Sequence, residues 1–343
     1  MTTTARTMTM KRGRKAASLG ALLVTTALVA SACGADNEGG GDGGDSDGGD
    51  SGATSDFADC TPGEESADLA DLDTDDSTDI TIAAFNGWDE SFAASHLVKH
   101  VLEDDGYTVN ISNFDAAPAY TGVAQGDVDV LMDGWLPVTH ETYLEEYGDD
   151  LEAQGCWYDN AKLTIAVNDD SPAQTIEDLA DMGDEYGNTL VGIDPGAGLT
   201  KQVQDHAIPE YGLQDYDFQI SSTPAMLAEL KRATDNGDDI AVTLWRPHWA
   251  YDAFPVRDLE DPKGAMGGAE NIYNFSRTGF SEDNPYVAQL LKNLVLDDEH
   301  LSSLENVMFS EDNYGGENME EAVSEWIDDN PDFVEDWKSG SLA

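Results

Sequence analysis

Three tryptophans that each end a short apolar run are the residues of this chain best suited to holding a ligand. The runs are ITIAAFNGW at residues 80–88, VDVLMDGW at 128–135 and IAVTLW at 240–245. Each run predicts a buried strand, and ligands of open α/β sheets bind just outside the carboxyl ends of the strands. Indole faces attract cations, and a quaternary ammonium depends on such faces because it has no N–H to donate. The pattern predicts a cage for a quaternary ammonium formed by Trp88, Trp135 and Trp245.

A glycine-rich turn offers backbone N–H groups that can bind an anion, whereas the indole faces attract a cation. The sequence GIDPGAGLT at residues 192–200 follows an apolar strand and opens a helix. Backbone N–H groups at such a helix start can hold a carboxylate without any basic side chain, although a plain tight turn is the alternative. Two histidines, His140 and His248, follow Trp135 and Trp245 closely. Either could donate to a carboxylate or cap a helix, and their spacing alone does not choose between them.

Strands and helices alternate around these residues, which predicts βαβ units and mostly parallel sheets flanked by helices. Two blocks of similar pattern predict two α/β lobes with a cleft between them: lobe 1 over residues 79–167 and lobe 2 over 168–264. Residues 265–343 are predicted to be a C-terminal helical segment, part of which returns to lobe 1. The predicted strands cover residues 79–85, 107–114, 128–134, 161–167, 189–194, 217–222 and 240–245. The predicted helices between them cover residues 89–103, with Asp89 as N-cap, then 118–125, 139–147, 199–212 and 224–235.

The N-terminus indicates export. Residues 1–32 combine a basic start with an apolar stretch that is too short to span a bilayer, as in a signal peptide. The stretch ends in Ala-Ser-Ala-Cys, which resembles a bacterial lipobox and predicts a lipid on Cys33. The alternative is an ordinary secretory signal cleaved near Ala32. Residues 33–78 then predict a flexible tether rich in Gly, Asp and Ser, so the protein is expected to be lipid-anchored on the outer face of the cell membrane.

Composition narrows the function further. The chain carries 16 basic and 70 acidic residues, a net charge of −54, which excludes nucleic acid as a partner and suits a protein that faces high external salt. Cys60 and Cys156 predict one disulfide in an exported protein, with two unpaired thiols as the alternative. We find no catalytic set, metal cluster or cofactor fingerprint in the sequence, so we expect no enzyme, no metal and no cofactor. A secreted hydrolase that uses its tryptophans as sugar platforms is the rival from another class.

Several multi-residue motifs together resemble a known family. They are GWDES at 87–91, GDVDVLMDGWLPVTH at 126–140, GIDPGAG at 192–198, LWRPHW at 244–249 and LEDPK at 259–263. Over residues 79–338 the chain resembles the glycine betaine/proline betaine binding proteins of ABC importers, the OpuAC type. Some relatives carry the two halves in the opposite order.

The resemblance implies a two-lobed type II periplasmic-binding-protein-like fold and a betaine ligand passed to an ABC transporter permease. It implies that Trp88, Trp135 and Trp245 surround the ligand ammonium. It also implies that His140 and the backbone N–H groups of Gly198 and Leu199 hold the carboxylate, which favours His140 over His248. Choline, carnitine or ectoine are the alternative ligands. The remaining nearby aromatic residues are expected to pack behind the site: His248, Trp249, Trp157 and Tyr158.

Overall fold

The structure is a computed structural model that describes residues 60–343. The predicted signal peptide, Cys33 and most of the predicted tether lie outside the described residues. Within residues 60–343, no helix has the length and apolar character needed to cross a bilayer.

Nine strands form one continuous mixed sheet in the described part of the chain. They are β1 (Asp79–Phe85), β2 (Thr108–Phe114), β3 (Val130–Leu136), β4 (Leu151–Asn168), β5 (Thr189–Val191), β6 (Asp217–Gln219), β7 (Ala241–Arg246), β8 (Val256–Asp258) and β9 (Glu270–Arg277). Their order is β2-β1-β3-β9-β4-β7-β5-β6, and β8 pairs with β4.

Helices cover the faces of this sheet. They are α1 (Asp89–Asp104), α2 (Ala116–Ala124), α3 (Glu141–Tyr147), α4 (Gly198–Gln202), α5 (Ile208–Tyr211), α6 (Thr223–Asn236), α7 (Ala250–Ala253), α8 (Phe280–Asp283), α9 (Pro285–Asn293), α10 (Asp298–Phe309), α11 (Met319–Asp329) and α12 (Phe333–Ser339). A π-helical turn, Val203–Ala207, joins α4 to α5, and Ile176–Asp181 forms a 3₁₀ helix.

The long strand β4 divides the sheet into two lobes. Its residues 151–161 pair with β9, whereas residues 162–168 pair with β7 and β8. We call β1, β2, β3 and β9 with the start of β4 the first lobe, and β5 to β8 with the end of β4 the second lobe. Residues 162–167 thus pair in the second lobe, although they are predicted to belong to lobe 1. The two-lobed α/β fold is confirmed, but its sheet is mixed: parallel at the outer strands and antiparallel where β9 pairs with β3 and β4 and where β4 pairs with β7.

The predicted C-terminal helical segment, residues 265–343, begins with a strand that the prediction does not include. Glu270–Arg277 forms β9, which lies between β3 and β4 in the middle of the sheet. Its sequence, ENIYNFSR, does not indicate a buried strand because it contains five polar or charged residues in eight. The polar residues are buried and bonded instead: Asn274 Nδ2–H donates to the Leu291 carbonyl at 3.1 Å, and Gln154 Nε2–H donates to Ser276 Oγ at 2.8 Å. Helices α10 and α11 do return to pack against α1.

Cys60 and Cys156 are joined by a disulfide that ties the start of the described chain to β4 across 96 residues. A crosslink over so long a loop restricts the unfolded chain strongly. Replacing both cysteines by serine is therefore expected to lower the free energy of unfolding by about 2–5 kcal/mol. Guanidinium denaturation of the oxidised wild type and of the double variant measures this difference. Equal midpoints for the two proteins would show that the disulfide contributes no stability.

Candidate functional site

A cavity lies where the two lobes meet. Four of its lining residues come from the first lobe and four from the second. They are Trp88, Glu90, Trp135 and Thr139, facing Leu163, Ile193, Leu199 and Trp245. The three tryptophans are almost fully buried, with exposed fractions of 8%, 3% and 3%.

Each tryptophan is delivered to the cavity by the end of a strand. Trp88 follows β1 at the residue before α1, Trp135 is the penultimate residue of β3, and Trp245 is the penultimate residue of β7. Gly87 makes the turn before Trp88 with a φ of +75°, a conformation that side-chain-bearing residues rarely adopt. The sequence predicts Asp89 as the N-cap of α1, and this prediction is wrong. Trp88 occupies the cap position, and Asp89 lies in the first turn, where its carboxylate accepts the Trp249 indole N–H.

Buried carboxylates hold two of the cage indoles by their polar edges. Trp135 Nε1–H donates to Asp133 Oδ1 at 2.7 Å, within the first lobe. Trp245 Nε1–H donates to Glu90 Oε2 at 3.0 Å, and this bond runs from the second lobe to α1 of the first. The bonds fix each ring through its N–H edge, where the indole would otherwise be an unsatisfied buried donor.

His140 lies directly behind the cage. Its ring stacks on Trp88 with 5.5 Å between the centroids and 5° between the planes. Its Nδ1 accepts the Trp135 backbone N–H at 2.9 Å. Burial lowers the pKa of His140 to about 3, so the ring is neutral at physiological pH and carries its proton on Nε2. Among the described residues this Nε2–H has no hydrogen-bond partner, which leaves a buried donor beside the cavity.

The glycine-rich turn meets the first lobe at the cavity rim. Gly198 and Leu199 are the first two residues of α4, and helix geometry gives their backbone N–H groups no acceptor within the helix. Leu199 lines the cavity. A Cβ on Gly198 would lie 2.4 Å from the Thr139 carbonyl oxygen, so the close approach of the lobes requires glycine here.

A second layer of buried acids and rings lies beyond the cage. The Trp249 backbone N–H donates to Glu305 Oε2 at 2.9 Å, and burial raises the pKa of Asp89 to about 7 and that of Glu305 well above its usual range. His248 Nδ1 accepts the Ala250 N–H at 3.0 Å, and burial lowers the pKa of His248 to about 3. Neither these residues nor the Trp157–Tyr158 pair lines the cavity.

Among the sequence-predicted ligand residues, Trp88, Trp135, Trp245 and Leu199 line one cavity, while His140 and Gly198 contact lining residues from behind or beside it. Sequence reasoning missed the other lining residues, which are Glu90, Thr139, Leu163 and Ile193. A signal existed for Glu90 and Thr139, because each lies in the same short motif as a predicted ligand residue.

Two lobes that enclose an aromatic cavity define a solute-binding protein. A family model described as the substrate binding domain of ABC-type glycine betaine transport systems, OpuAC, matches residues 78–329. The chain belongs to this family, which confirms the resemblance. The family model assigns the chain to the substrate-binding domains of ABC-type transport systems.

Relatives and solved structures agree with this assignment. The chain is 40% identical over 162 residues to the glycine betaine/carnitine transport binding protein GbuC of Listeria monocytogenes, a match that covers 47% of this chain and 52% of that protein. The chain thus spans about half the length of this relative. The structure is similar to lactococcal OpuAC in its closed-liganded conformation with glycine betaine, with 29% identity, a TM-score of 0.70, and coverage of 76% of this chain and 99% of that one. It is also similar to an ABC-transporter choline binding protein in complex with choline, with 26% identity, a TM-score of 0.69, and coverage of 77% and 92%.

Proposed function

We propose that this protein is the extracytoplasmic receptor of an ABC importer and that it captures glycine betaine, or a related betaine such as proline betaine, for osmoprotectant uptake. One observation carries the proposal: three tryptophans from both lobes line a single cavity. The glycine betaine complex of lactococcal OpuAC, a structural neighbour, supports the choice of ligand.

The trimethylammonium group lies among Trp88, Trp135 and Trp245. A desolvated cation over an indole face gains about 2 kcal/mol, and burial of each methyl group adds about 0.8 kcal/mol. Micromolar binding needs about −8 kcal/mol, which several such contacts can supply. Sodium and potassium ions are rejected because an aromatic face does not replace their hydration shells, and this selectivity matters most in a salty environment.

The carboxylate of the ligand accepts from His140 Nε2–H and from the backbone N–H groups of Gly198 and Leu199. The support is the neutral state of His140 together with its unpartnered buried Nε2–H, since a buried donor without an acceptor costs about 1–3 kcal/mol. A ligand that bridges His140 on the first lobe and α4 on the second binds the closed state better than the open one, and so favours closure.

Export and anchoring belong to the same proposal. The signal-peptide pattern of residues 1–32 and the lipobox-like Cys33 support a protein tethered to the outer face of the cell membrane, next to the permease that receives the ligand. The net charge of −54 supports a protein that works at high external salt.

A choline receptor is the second candidate, because the structure is also similar to a choline binding protein in complex with choline. Choline has no carboxylate and would leave His140 Nε2–H without an acceptor. His140→Ala is therefore expected to weaken glycine betaine binding about tenfold or more and choline binding much less. Calorimetry in molar salt with glycine betaine, choline and a panel of sugars measures these affinities. Equal losses for the two amines would remove His140 from the proposed role, and sugar binding without amine binding would overturn the proposed function.

A further inference from the structure

Two buried carboxylates are bonded to the N–H edges of cage indoles. Asp133 on β3 accepts the Trp135 indole N–H, and Glu90 on α1 accepts the Trp245 indole N–H. Asp133 is 0% exposed and Glu90 is 1% exposed, and Glu90 also lines the cavity. Two of the three cage indoles are therefore anchored by an acid.

Neither carboxylate has a basic partner. Within residues 60–343, no lysine, arginine or histidine forms an ion pair with Asp133 or Glu90. The second oxygen of Asp133, Oδ2, has no hydrogen-bond partner in this part of the chain. A buried carboxylate requires a counter-charge, and the described residues supply none. A cation that enters the cavity can therefore act as the counter-charge.

The titratable groups packed around the pair supply no positive charge either. Glu305 on α10 and Asp89 on α1 are acids, and Tyr120 on α2 is held neutral because burial raises its pKa well above the usual range. His140 and His248 are neutral because burial lowers the pKa of each to about 3.

Both carboxyl groups favour their protonated forms while the cavity is empty. Burial raises the pKa of Asp133 to about 8. Burial, together with the charges of Asp133 and Glu305, raises the pKa of Glu90 well above its usual range. A cation nearby favours the ionised form of a carboxyl group. A cation in the cage therefore lowers both pKa values, and a proton leaves to the solvent.

We propose that Asp133 and Glu90 together provide the counter-charge for the ligand and release a proton when it binds. Entry of a quaternary ammonium expels a proton from this pair of carboxyl groups. The ionised pair, which remains bonded to the Trp135 and Trp245 indoles, then holds the cation. The inference rests on the proposed function, because it needs a cation in the cage. It makes Asp133 a positioning residue that acts through Trp135. It also makes the site selective for a cationic group over a neutral solute of the same shape.

The direction of the pH dependence follows from the sign of these shifts. The pKa values of the two carboxyl groups are higher in the empty protein than in the liganded protein. At pH values between the two, ligand binding releases protons. For each proton released, the Kd falls about tenfold per pH unit in that range. The Kd is expected to fall as the pH rises towards about 8, the pKa of Asp133 in the empty protein.

Calorimetry with glycine betaine and with choline tests the inference. Titrations at about pH 7 in buffers of different ionisation enthalpy, phosphate and Tris, give the number of protons released, and titrations from about pH 6 to about pH 9 give the slope of the Kd. The wild type is expected to release close to one proton. Asp133→Asn keeps an oxygen that can accept the Trp135 indole N–H, but it should release fewer protons, show a flatter slope and raise the Kd about tenfold. The double variant Glu90→Gln with Asp133→Asn should release none.

Asp75→Asn is the matched control, since Asp75 is another buried carboxylate of the first lobe, 8% exposed, that accepts backbone N–H groups of α9. It should keep the wild-type proton count and slope. Wild-type binding whose heat is independent of the buffer would overturn this inference alone. An unchanged proton count in the double variant would overturn it as well. Failure to bind any quaternary amine at any pH would overturn the proposed function, and this inference with it.

Discussion

Trp135→Ala is expected to weaken glycine betaine binding at least about a hundredfold. The variant loses a desolvated cation–π contact worth about 2 kcal/mol and the burial of at least one methyl group, worth about 0.8 kcal/mol, and each 1.4 kcal/mol is a tenfold change in Kd. Calorimetry in molar salt measures the loss directly. Retention of wild-type affinity would mean that the indole of Trp135 does not face the ligand.

Trp249→Ala is the matched control for this prediction. Trp249 is also buried, at 7% exposure against 3% for Trp135, and its indole N–H also donates to a carboxylate, that of the partly buried Asp89. It does not line the cavity. Both variants should lose stability to unfolding by a few kcal/mol, but only the cage variant should lose affinity to the extent expected above. A comparable loss in both would assign the effect to general damage of the fold.

Gly198→Ala is expected to weaken ligand binding by about tenfold to a hundredfold, because it keeps the lobes apart. The added Cβ would lie 2.4 Å from the Thr139 carbonyl oxygen and 2.5 Å from Thr139 Cγ2, across the cleft. Overpacking of this kind costs about 1–3 kcal/mol, and the cost falls on the closed state alone. Small-angle scattering with saturating ligand should show a larger radius of gyration than for the wild type, and calorimetry should show the weaker Kd.

Gly196→Ala controls for the loss of a glycine in the same turn, since a Cβ at that position meets nothing within 4 Å. It should close and bind as the wild type does. An alanine at 198 that leaves both affinity and compaction unchanged would show that the described approach of α4 to Thr139 is not part of the liganded state.

The parts of the fold that follow periodic apolar patterns could be predicted closely. The strand at residues 79–85 is predicted with its observed bounds, and α1 ends one residue beyond its prediction. The failures occur where buried polar residues hide the pattern. Strand β9 was missed because Asn274 and Ser276 are satisfied by partners that are distant in sequence, and the first half of β4 was missed although it is the strand that links the lobes.

The same limit applies to the site. The tryptophans could be found because a large aromatic residue at a strand end is rare and its place in a sheet is predictable. Asp133 and Glu90 could not be separated from the other acids among the 70, since a carboxylate in so acidic a chain is most simply a solvated surface group. Only the packing shows that these two are buried, unpaired with any base in the described residues, and bonded to cage indoles.

A crystal structure of the protein grown with glycine betaine tests the central claim most directly. We expect the trimethylammonium nitrogen to lie between Trp88, Trp135 and Trp245, with the carboxylate within hydrogen-bond distance of His140 Nε2 and of the N–H groups that begin α4. Ligand density elsewhere in the cleft, with the space between the three indoles left vacant at saturating concentration, would contradict the account.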